Sequence, residues 1–367
     1  MLMKILILYT YNKGLLSNFF QELSEKLCTD GFEVFNFYLK HKKESFTQNN
    51  VQTFGEKRGN HLHNYRCIYQ IISRTKPDII ISNFSYVNPA LLFGRIFRVK
   101  RNIAWFHTVY GHGRPNKQKV FTKRLFLKMA DFVIANSPLL QKEMQCIYKI
   151  PKHHTVAIPF WTNIFNYSLP LNSLKILKNH STLQIGCPGR LLLDKNHASV
   201  IKAVHELKQY QQKTIKLYIA GEGPYRQNLE QLVNNLGLNN DVIFLGQLSV
   251  PEMVSFYEAM NVIVLPSFHE AFGLVFIEAI ALGRPVLVSK AFGALDFIDA
   301  KKFSIPDFTF NPHDIPELID KLESFLGNNG LESDYFKMIY DVTFQKDFIY
   351  DQIKDVILNQ AQKMPAS

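Results

Sequence analysis

Short apolar runs alternate with segments of helical pattern along most of this chain, and few folds accommodate such an alternation. The stretch 261–289 shows the pattern: a run rich in Val, Ile and Leu, then an apolar helical segment, then a second apolar run. Gly283 and Pro285 follow the helical segment, where these residue types commonly end a helix. Strands that alternate with helices of about 10 to 15 residues predict βαβ units on a parallel sheet.

The alternation occurs twice, with an interruption between the two series. It runs over 4–148, gives way to an irregular region over about 160–182, and then resumes. Since 367 residues are too many for one ordinary core, we predict an α/β protein with two Rossmann-like, doubly wound domains at 1–165 and 166–345. The polar residues 40–60 are predicted to be irregular. Ligands of such sheets bind at the carboxyl ends of the strands, so a cleft between the domains is the expected site.

Positive charge is concentrated in the first part of the chain. The net charge is +11, from 42 Lys and Arg against 31 Asp and Glu. Residues 1–160 hold 24 basic and 9 acidic residues, a net of +15, and residues 161–367 hold 18 and 22, a net of −4. Such asymmetry indicates a polyanionic partner or a membrane surface, although a surface that only keeps the protein soluble would look the same.

The composition argues against several other classes of protein. No run approaches the roughly 20 apolar residues that a membrane-spanning helix needs, and the N-terminal segment is predicted to be a first strand rather than a signal peptide. The four cysteines are scattered and never form a C-x-x-C pair. We therefore predict reduced thiols in a cytoplasmic protein, without disulfides or a zinc site.

Two carboxylates stand in the middle of the stretch 261–289. Glu270 lies in the predicted loop at the carboxyl end of a strand, and Glu278 lies inside the following helix. That helix is apolar on nearly every face, so Glu278 is predicted to be buried. A lone buried carboxylate is unfavourable unless something hydrogen-bonds or pairs with it, and the sequence shows no basic partner nearby.

A basic loop follows the first strand of the second domain. It contains Gly189, Arg190 and Leu191, and Lys195 comes five residues after Arg190. An arginine and a lysine at the start of a helix could together hold a diphosphate, whereas the alternative is a solvated loop with incidental charges. The later segment 221–224, Gly-Glu-Gly-Pro, departs from the G-x-G-x-x-G spacing of dinucleotide sites and is predicted to be a turn that passes close to a ligand.

Two residues of the first domain are weaker candidates. His107 ends the predicted strand 102–106, where a side chain can face a ligand, although a lone histidine is more often structural. Gly14 occupies the loop after the first strand, where it permits close approach of a substrate, although any turn would also favour glycine.

The second domain resembles that of the family 4 glycosyltransferases, retaining enzymes of the GT-B fold that use nucleotide-diphosphate sugars. The resemblance is dense over about 180–300 and weaker in the first domain. It rests on the following segments: Gly189–Leu191 with Lys195, Ala220–Pro224, Val242–Gly246, Pro266 with Ser267, Glu270–Glu278, Ala281, Gly283–Pro285, and, in the first domain, His107, Ala130–Ser137 and Ala157–Pro159.

This resemblance implies a role for each candidate residue. Arg190 and Lys195 would bind the diphosphate of the sugar donor and stabilise the charge of the leaving nucleotide. Glu278 would accept hydrogen bonds from the ribose hydroxyls, Glu270 would hold a hydroxyl of the donated sugar, and His107 would contact that sugar near the reacting carbon. The implied catalytic residues are His107, Arg190, Lys195 and Glu270, and the implied donor-binding residues are Gly14, Gly189, Arg190, Lys195, Glu270, Ala271, Phe272, Gly273, Leu274 and Glu278.

The resemblance also implies a reaction: transfer of a hexose or N-acetylhexosamine to an acceptor hydroxyl with retained configuration and without a metal or other cofactor. The last helix, within 346–367, would cross back to the first domain. Two residues depart from the family pattern, because Phe292 replaces a glycine and Asp296 replaces a glutamate in a Gly-Gly-x-x-Glu segment. The resemblance therefore predicts no phosphate contacts from that loop.

The basic segments 95–101 and 119–128 interleave cations with aromatic and aliphatic residues, which suits an anionic membrane surface. We therefore predict a lipid-linked or cell-envelope glycan as acceptor, a role in polysaccharide biosynthesis, and a cytoplasmic protein that binds the membrane peripherally. Two alternatives remain. A sugar-nucleotide epimerase shares the GT-B architecture, and a nucleic-acid-binding protein would explain the high isoelectric point but not the acidic second domain.

Overall fold

The structure is a computed structural model that describes residues 2–12, 14–107, 116–167, 182–210, 214–326 and 330–358. The chain divides into two compact units. Unit 1 comprises Met1–Phe160 with Lys346–Ser367, and unit 2 comprises Trp161–Gln345. The division thus falls between Phe160 and Trp161, whereas the sequence predicted a boundary after residue 165.

Unit 1 is built on a sheet of eight strands, with helices between most successive strands. Its elements, in chain order, are β1 (Lys4–Leu8), α1 (Leu15–Thr29), β2 (Glu33–Lys40), β3 (Ser45–Gln48), β4 (Val51–Lys57), α2 (His61–Thr75), β5 (Ile79–Asn83), α3 (Val87–Ile96), β6 (Arg101–Phe106), α4 (Lys117–Leu127), β7 (Phe132–Ala135), α5 (Pro138–Cys146) and β8 (Thr155–Ala157). The strand order is β3-β4-β2-β1-β5-β6-β7-β8, and all neighbours are parallel except β3 and β4.

The prediction that residues 40–60 are irregular was wrong, because β3 and β4 form a hairpin there. Asn49 and Asn50 connect the strands with φ angles of 48° and 64°. A two-residue type I′ turn needs positive φ at both positions, and asparagine tolerates it better than most residues. In β4 the buried residues alternate with exposed ones. One buried face is thus enough to hold a strand whose composition is mostly polar.

Three neighbouring strands of unit 1 bring their carboxyl ends together. β5 lies between β1 and β6, with Ser82 opposite Leu8 and Asn83 opposite Trp105. Leu8, Asn83 and Trp105 are all fully buried. Side chains that follow β1, β5 and β6 can therefore meet at one edge of the sheet, and His107 is one of them.

Unit 2 is built on a parallel sheet of six strands. Its elements are β9 (Thr182–Pro188), α6 (His197–Tyr210), β10 (Thr214–Ala220), α7 (Arg226–Asn235), β11 (Val242–Gly246), α8 (Val250–Ala259), β12 (Val262–Leu265), α9 (Leu274–Ala281), β13 (Val286–Ser289), α10 (Ile305–Phe308), β14 (Thr309–Phe310), α11 (Ile315–Leu326) and α12 (Ser333–Thr343). The strand order is β11-β10-β9-β12-β13-β14. The prediction of two doubly wound α/β units is therefore confirmed, although α10, β14 and α12 were not predicted.

The last described helix, α13 (Lys346–Leu358), belongs to unit 1. Its buried face includes Ile349, Ile353 and Val356. The Tyr350 hydroxyl donates a hydrogen bond of 2.8 Å to Asp30, and the Arg101 guanidinium donates one of 2.7 Å to the carbonyl oxygen of Val356. The burial of this face and these two hydrogen bonds together fix the helix on unit 1, although it follows unit 2 in sequence. Among the described residues, no helix is both long and apolar enough to cross a membrane.

Candidate functional site

The loops that follow four strands of unit 2 meet at the carboxyl edge of its sheet. β9 lies between β10 and β12, and β13 lies next to β12. Consequently the loops 189–196, 221–225, 266–273 and 290–293 are neighbours, although they are far apart in sequence. The loops 189–196 and 266–273 hold most of the residues of unit 2 predicted as donor-binding, and the other two, Leu274 and Glu278, lie on α9, which follows directly.

Glycines allow the first two of these loops to pack on each other. A Cβ atom on Gly221 would lie 1.9 Å from the carbonyl oxygen of Gly189, and one on Gly223 would lie 2.3 Å from that of Leu191. The Leu191 N–H also donates a hydrogen bond of 3.0 Å to the Glu222 carbonyl. The glycines of 221–224 thus make room for the loop that carries Arg190, and close approach of this turn to a ligand stays a prediction.

Lys195 and Glu270 form an ion pair in this structure. Their side chains are 16% and 20% exposed, so water only partly screens the pair. Asn196 holds the two loops together, since its side-chain amide donates to the carbonyl oxygens of Pro266 and Pro312 at 3.2 and 3.0 Å. Two residues predicted as catalytic are thus brought together, 75 positions apart in sequence.

Arg190 extends from the same loop but remains open to solvent. Its side chain is exposed, and it makes no hydrogen bond or ion pair with any residue that the structure describes. Gly189, before it, has a φ angle of 150°, outside the range of ordinary L-residues. The loop therefore presents one paired cation and one unpaired cation.

Glu278 has a partner that the sequence analysis did not identify. The Tyr257 hydroxyl, from α8, donates a hydrogen bond of 2.8 Å to the Glu278 carboxylate. Both side chains are buried. Burial raises the pKa of Glu278 to about 7, although the Tyr257 hydrogen bond opposes this rise. Glu278 is buried as predicted and has no basic partner among these contacts, since the group that bonds it is a tyrosine hydroxyl. No spacing or motif in the sequence marked Tyr257.

The first backbone N–H groups of α9 follow directly after the loop that carries Glu270. Gly273 precedes this helix with a φ angle of 100°. Within the described residues, the N–H groups of Leu274 and Val275 donate to no backbone carbonyl, as expected for a first helical turn. Such groups, with the positive end of the helix dipole, favour a negative ligand.

The segment with Phe292, which departs from the family pattern, is hydrogen-bonded to the neighbouring loop that carries Glu270. The N–H groups of Gly293 and Ala294 donate to the carbonyl oxygens of Glu270 and Phe272 at 3.1 and 2.9 Å. The buried Phe292 ring packs against Gly273, where an added Cβ atom would come within 2.3 Å of it. These two N–H groups are therefore already occupied within the protein. Asp296 lies further along, in the 3₁₀ turn Gly293–Phe297.

His197 is a second residue of this edge that sequence reasoning missed. It begins α6, it is buried, and neither ring nitrogen has a hydrogen-bond partner within the described part of the chain. Its ring atoms lie 3.7 Å from the position of a Cβ atom on Gly189. Burial and the nearby Lys195 lower the pKa of His197 to about 4, so the ring is neutral. No spacing or motif in the sequence marked it.

The remaining two candidates, His107 and Gly14, belong to unit 1. The Nε2 atom of His107 lies 2.6 Å from the side-chain oxygen of Asn83, and burial lowers the pKa of His107 to about 3. The Gly14 N–H donates a hydrogen bond of 2.8 Å to the side chain of Asn12, and Gly14 immediately precedes α1. Lys13, the residue before Gly14, lies outside the described residues.

Metal ligands would need several acidic, histidine or cysteine side chains in one place. Across the described ranges, no three His, Cys, Asp or Glu side chains are grouped in this way.

Comparisons with known proteins match both units. Residues 172–340 match the family model described as Glycosyl transferases group 1, and residues 16–163 match the one described as Glycosyltransferase Family 4. The alpha-monoglucosyldiacylglycerol synthase of Streptococcus pneumoniae is 27% identical over 265 residues, which cover 65% of this chain and 59% of that protein. Matches to two such curated relatives span only 56% and 59% of their lengths.

Solved structures are similar over nearly the whole chain. The sucrose-phosphate synthase from Thermosynechococcus elongatus has a TM-score of 0.78 at 19% identity, covering 98% of this chain and 99% of that one. The Anabaena protein Alr3699/HepE, solved in complex with UDP and glucose, also has a TM-score of 0.78 at 19% identity, covering 97% of this chain and 100% of that one. At these identities the likeness concerns the fold.

Proposed function

The chain belongs to the family 4 glycosyltransferases and has their GT-B fold, and from this premise we propose that it transfers a sugar from a nucleotide-diphosphate sugar to an acceptor hydroxyl with retained configuration. One observation carries the proposal: the loops at the carboxyl edge of unit 2 hold Arg190 and the Lys195–Glu270 ion pair, and the loop with Glu270 leads into α9, which carries Glu278 and whose first N–H groups donate to no backbone carbonyl of the described residues. The cations and N–H groups suit the diphosphate of a nucleotide sugar. The buried Glu278 carboxylate suits the ribose hydroxyls of the same ligand, and Glu270 suits a hydroxyl of its sugar.

The diphosphate would bind to the cations and the start of α9. Arg190 is exposed and has no partner among the described residues, so binding a phosphate disrupts no existing ion pair. Lys195 is paired with Glu270, and a diphosphate would compete for its ammonium group. The N–H groups of Leu274 and Val275 add donors that need no reorganisation. These groups would also stabilise the negative charge on the nucleotide as it leaves.

The ribose would bind to Glu278. The Tyr257 hydrogen bond engages one carboxylate oxygen, and the other accepts no hydrogen bond from a described residue. Ribose hydroxyls are donors that could use this oxygen. A bound ribose would favour the ionised carboxylate, which burial alone disfavours.

We assign Glu270 a hydroxyl of the donated sugar rather than the role of nucleophile. Its carboxylate is held by Lys195, and its carbonyl oxygen accepts from Gly293. Release of Lys195 toward the diphosphate would free the Glu270 carboxylate for the sugar in the same step. Retention would then follow from attack on the face that the phosphate leaves, with the phosphate taking the acceptor proton. The proposed contacts of His107 and Gly14 with the donor rest on the family resemblance.

A thermal-shift panel with UDP, GDP, ADP and their sugars tests the donor class, because a ligand of the folded protein raises its melting temperature. The Anabaena structure contains UDP and glucose, so UDP-glucose is the first hexose donor to test, and UDP-N-acetylglucosamine is the second. A panel without any shift would contradict the proposal. Product analysis separates transfer from epimerisation of the donor, and the anomeric configuration of the product tests retention.

Arg190→Ala tests the diphosphate assignment. We expect turnover to fall by about 10²- to 10³-fold, since one electrostatic contact to the developing charge is lost, while the melting temperature stays unchanged because Arg190 has no partner among the described residues. Arg226→Ala is a matched control: this arginine pairs with Glu222 and Glu230, neither of which is assigned a contact with the donor. Equal effects of the two variants would refute the assignment.

The site is proposed to work without a divalent metal, because two cations can balance the diphosphate. Activity should then persist after dialysis against a chelator, and added magnesium should not increase it. Loss of activity on chelation, with recovery on adding back the metal, would show that this part of the proposal is wrong.

The acceptor is proposed to be lipid-linked, with α4 as a contact to an anionic membrane. One stripe of this helix carries Lys117, Phe121 and Leu125, and Lys128 follows directly after the helix; the two apolar side chains are 61% and 46% exposed. Exposed apolar groups between lysines suit an anionic bilayer, where each cation contributes about 1 kcal/mol. The name of the Streptococcus relative also describes a glucosylated diacylglycerol.

Flotation with anionic vesicles tests this surface. The protein should bind phosphatidylglycerol vesicles, release at high salt, and bind less after Phe121→Ser with Leu125→Ser. The matched control is Met338→Ser with Val342→Ser, an exposed apolar pair at the same spacing on α12 of the acidic unit. Binding that ignores salt, or that the control pair weakens equally, would count against a membrane role for α4.

A further inference from the structure

Asn83 connects two parts of unit 1, the end of β1 and the residue that follows β6. It is the last residue of β5 and is fully buried. Its side-chain nitrogen donates a hydrogen bond of 3.1 Å to the carbonyl oxygen of Leu8, and its side-chain oxygen lies 2.6 Å from Nε2 of His107. The amide thus connects the end of β1 to the residue that follows β6.

These two contacts determine which nitrogen of His107 carries the proton. A backbone carbonyl can only accept, so the NH₂ group of Asn83 must face Leu8 and its oxygen must face the histidine. An oxygen that only accepts requires a donor at Nε2. Burial lowers the pKa of His107 to about 3, so the ring is neutral and has a single N–H. Nδ1 is therefore the nitrogen with the lone pair.

The surroundings hold the ring in place but do not satisfy that lone pair. Nδ1 is buried and has no hydrogen-bond partner within the described ranges. The rings of Phe84, Trp105 and Phe160 stack on the imidazole, with centroids 4.5, 6.1 and 5.5 Å away. Phe84 itself has a φ angle of 50°, which a bulky residue rarely adopts. Strained residues of this kind cluster at functional sites.

We propose that Asn83 is a positioning residue that holds His107 in the tautomer protonated at Nε2, so that Nδ1 accepts a hydrogen bond from a hydroxyl of the bound sugar. A sugar hydroxyl is the complementary donor, and its arrival would satisfy a buried acceptor that lacks a described partner. The assignment of the hydroxyl rests on the proposed function. The assignment of the tautomer rests only on contacts within unit 1.

Nitrogen-15 NMR of the full-length, ligand-free protein tests the tautomer directly. His107→Gln identifies the signals of this ring among the 12 histidines. We expect Nε2 to have the shift of a protonated ring nitrogen and Nδ1 that of an unprotonated one. The reverse assignment, or a mixture of both forms, would overturn the proposal without reference to activity.

Asn83→Ala tests the positioning role. We expect the ring to become a mixture of tautomers and kcat to fall roughly 10- to 100-fold, as for other residues that orient a functional histidine. Asn36→Ala is the matched control, because Asn36 is equally buried and hydrogen-bonded in β2 but does not contact His107. Lower activity in Asn83→Ala with unchanged ring signals would mean that Asn83 is only structural, and would overturn the proposal.

Titration of the wild-type protein with UDP-glucose and the other nucleotide sugars of the panel tests the hydroxyl. A shift of the Nδ1 signal that UDP alone does not produce would support acceptance from the sugar. If a nucleotide sugar raises the melting temperature but leaves Nδ1 unchanged, the hydroxyl assignment is wrong. If no nucleotide sugar binds while Nε2 is protonated, the proposed function and the hydroxyl assignment fail, and the positioning by Asn83 is supported.

Discussion

Tyr257 and Glu278 show how a single hydrogen bond can adjust the pKa of a buried carboxyl group. Burial raises the pKa of the carboxyl group to about 7, and the tyrosine hydroxyl limits that rise. The folded, ligand-free protein therefore favours the neutral acid. Its stability should fall as the pH rises from the ordinary carboxyl pKa through about 7, and Glu278→Gln should remove this dependence. A nucleotide sugar that needs the carboxylate has the opposite preference.

Donor affinity should therefore increase as the pH rises through about 7. In Tyr257→Phe, where the hydrogen bond that lowers the Glu278 pKa is lost, the midpoint should move to higher pH and the donor KM at neutral pH should rise several-fold. Isothermal titration across the pH range measures both. Tyr340→Phe, which removes another buried hydroxyl from unit 2, serves as the control. An unchanged midpoint in Tyr257→Phe would contradict the ribose assignment.

At the scale of the element, the packing of loop 221–225 on loop 189–196 is expected to determine the position of Arg190. Gly221→Ala would place a Cβ atom 1.9 Å from the carbonyl oxygen of Gly189, at a φ angle of 149°. Gly237→Ala, at a φ angle of 66° with nothing within 4 Å, brings only the backbone strain. We expect Gly237→Ala to lower the free energy of unfolding by about 1 to 2 kcal/mol.

Gly221→Ala should lower it by about 1 to 3 kcal/mol more, because the loop after β9 must also move. Urea denaturation measures the difference, and an assay of donor binding should show a loss for Gly221→Ala alone. Equal effects of the two substitutions would mean that the packing of the two loops does not position Arg190.

Local patterns in the sequence predict most elements of this fold, but they do not predict contacts between residues that are far apart in sequence. The alternation of strands and helices predicts both sheets, and the motifs around Arg190 and Glu270 predict the loops that meet. Tyr257 and Asn83 could not be predicted in the same way, because their partners lie 21 and 24 residues away on other elements. The hairpin of β3 and β4 escaped for another reason, since its strands are polar on one face and its turn lacks glycine.

At the scale of the whole molecule, unit 1 depends on a helix from the far end of the chain. Ile353 is fully buried on α13, whereas Phe348 on the same helix is 57% exposed. Ile353→Ala should lower the free energy of unfolding by about 2 to 5 kcal/mol, and Phe348→Ala by about 0.5 kcal/mol or less. Trp105 is buried in unit 1 and Trp161 in unit 2, so Trp161→Phe leaves a single fluorescent reporter for unit 1.

In that single-tryptophan background, urea denaturation should show a lower midpoint for Ile353→Ala than for Phe348→Ala. Equal midpoints would mean that α13 contributes little to the stability of unit 1, despite its hydrogen bonds to Asp30 and from Arg101.

The return of α13 to unit 1 has a consequence for biosynthesis. Unit 2 is one continuous stretch, 161–345, inserted between two parts of unit 1. On the ribosome, unit 2 therefore has all its residues while unit 1 still lacks its last helix. Domains usually fold in the order of their synthesis. Here the unit that begins first is completed last, and a chain truncated after residue 345 would have every residue of unit 2 but would leave part of the core of unit 1 uncovered.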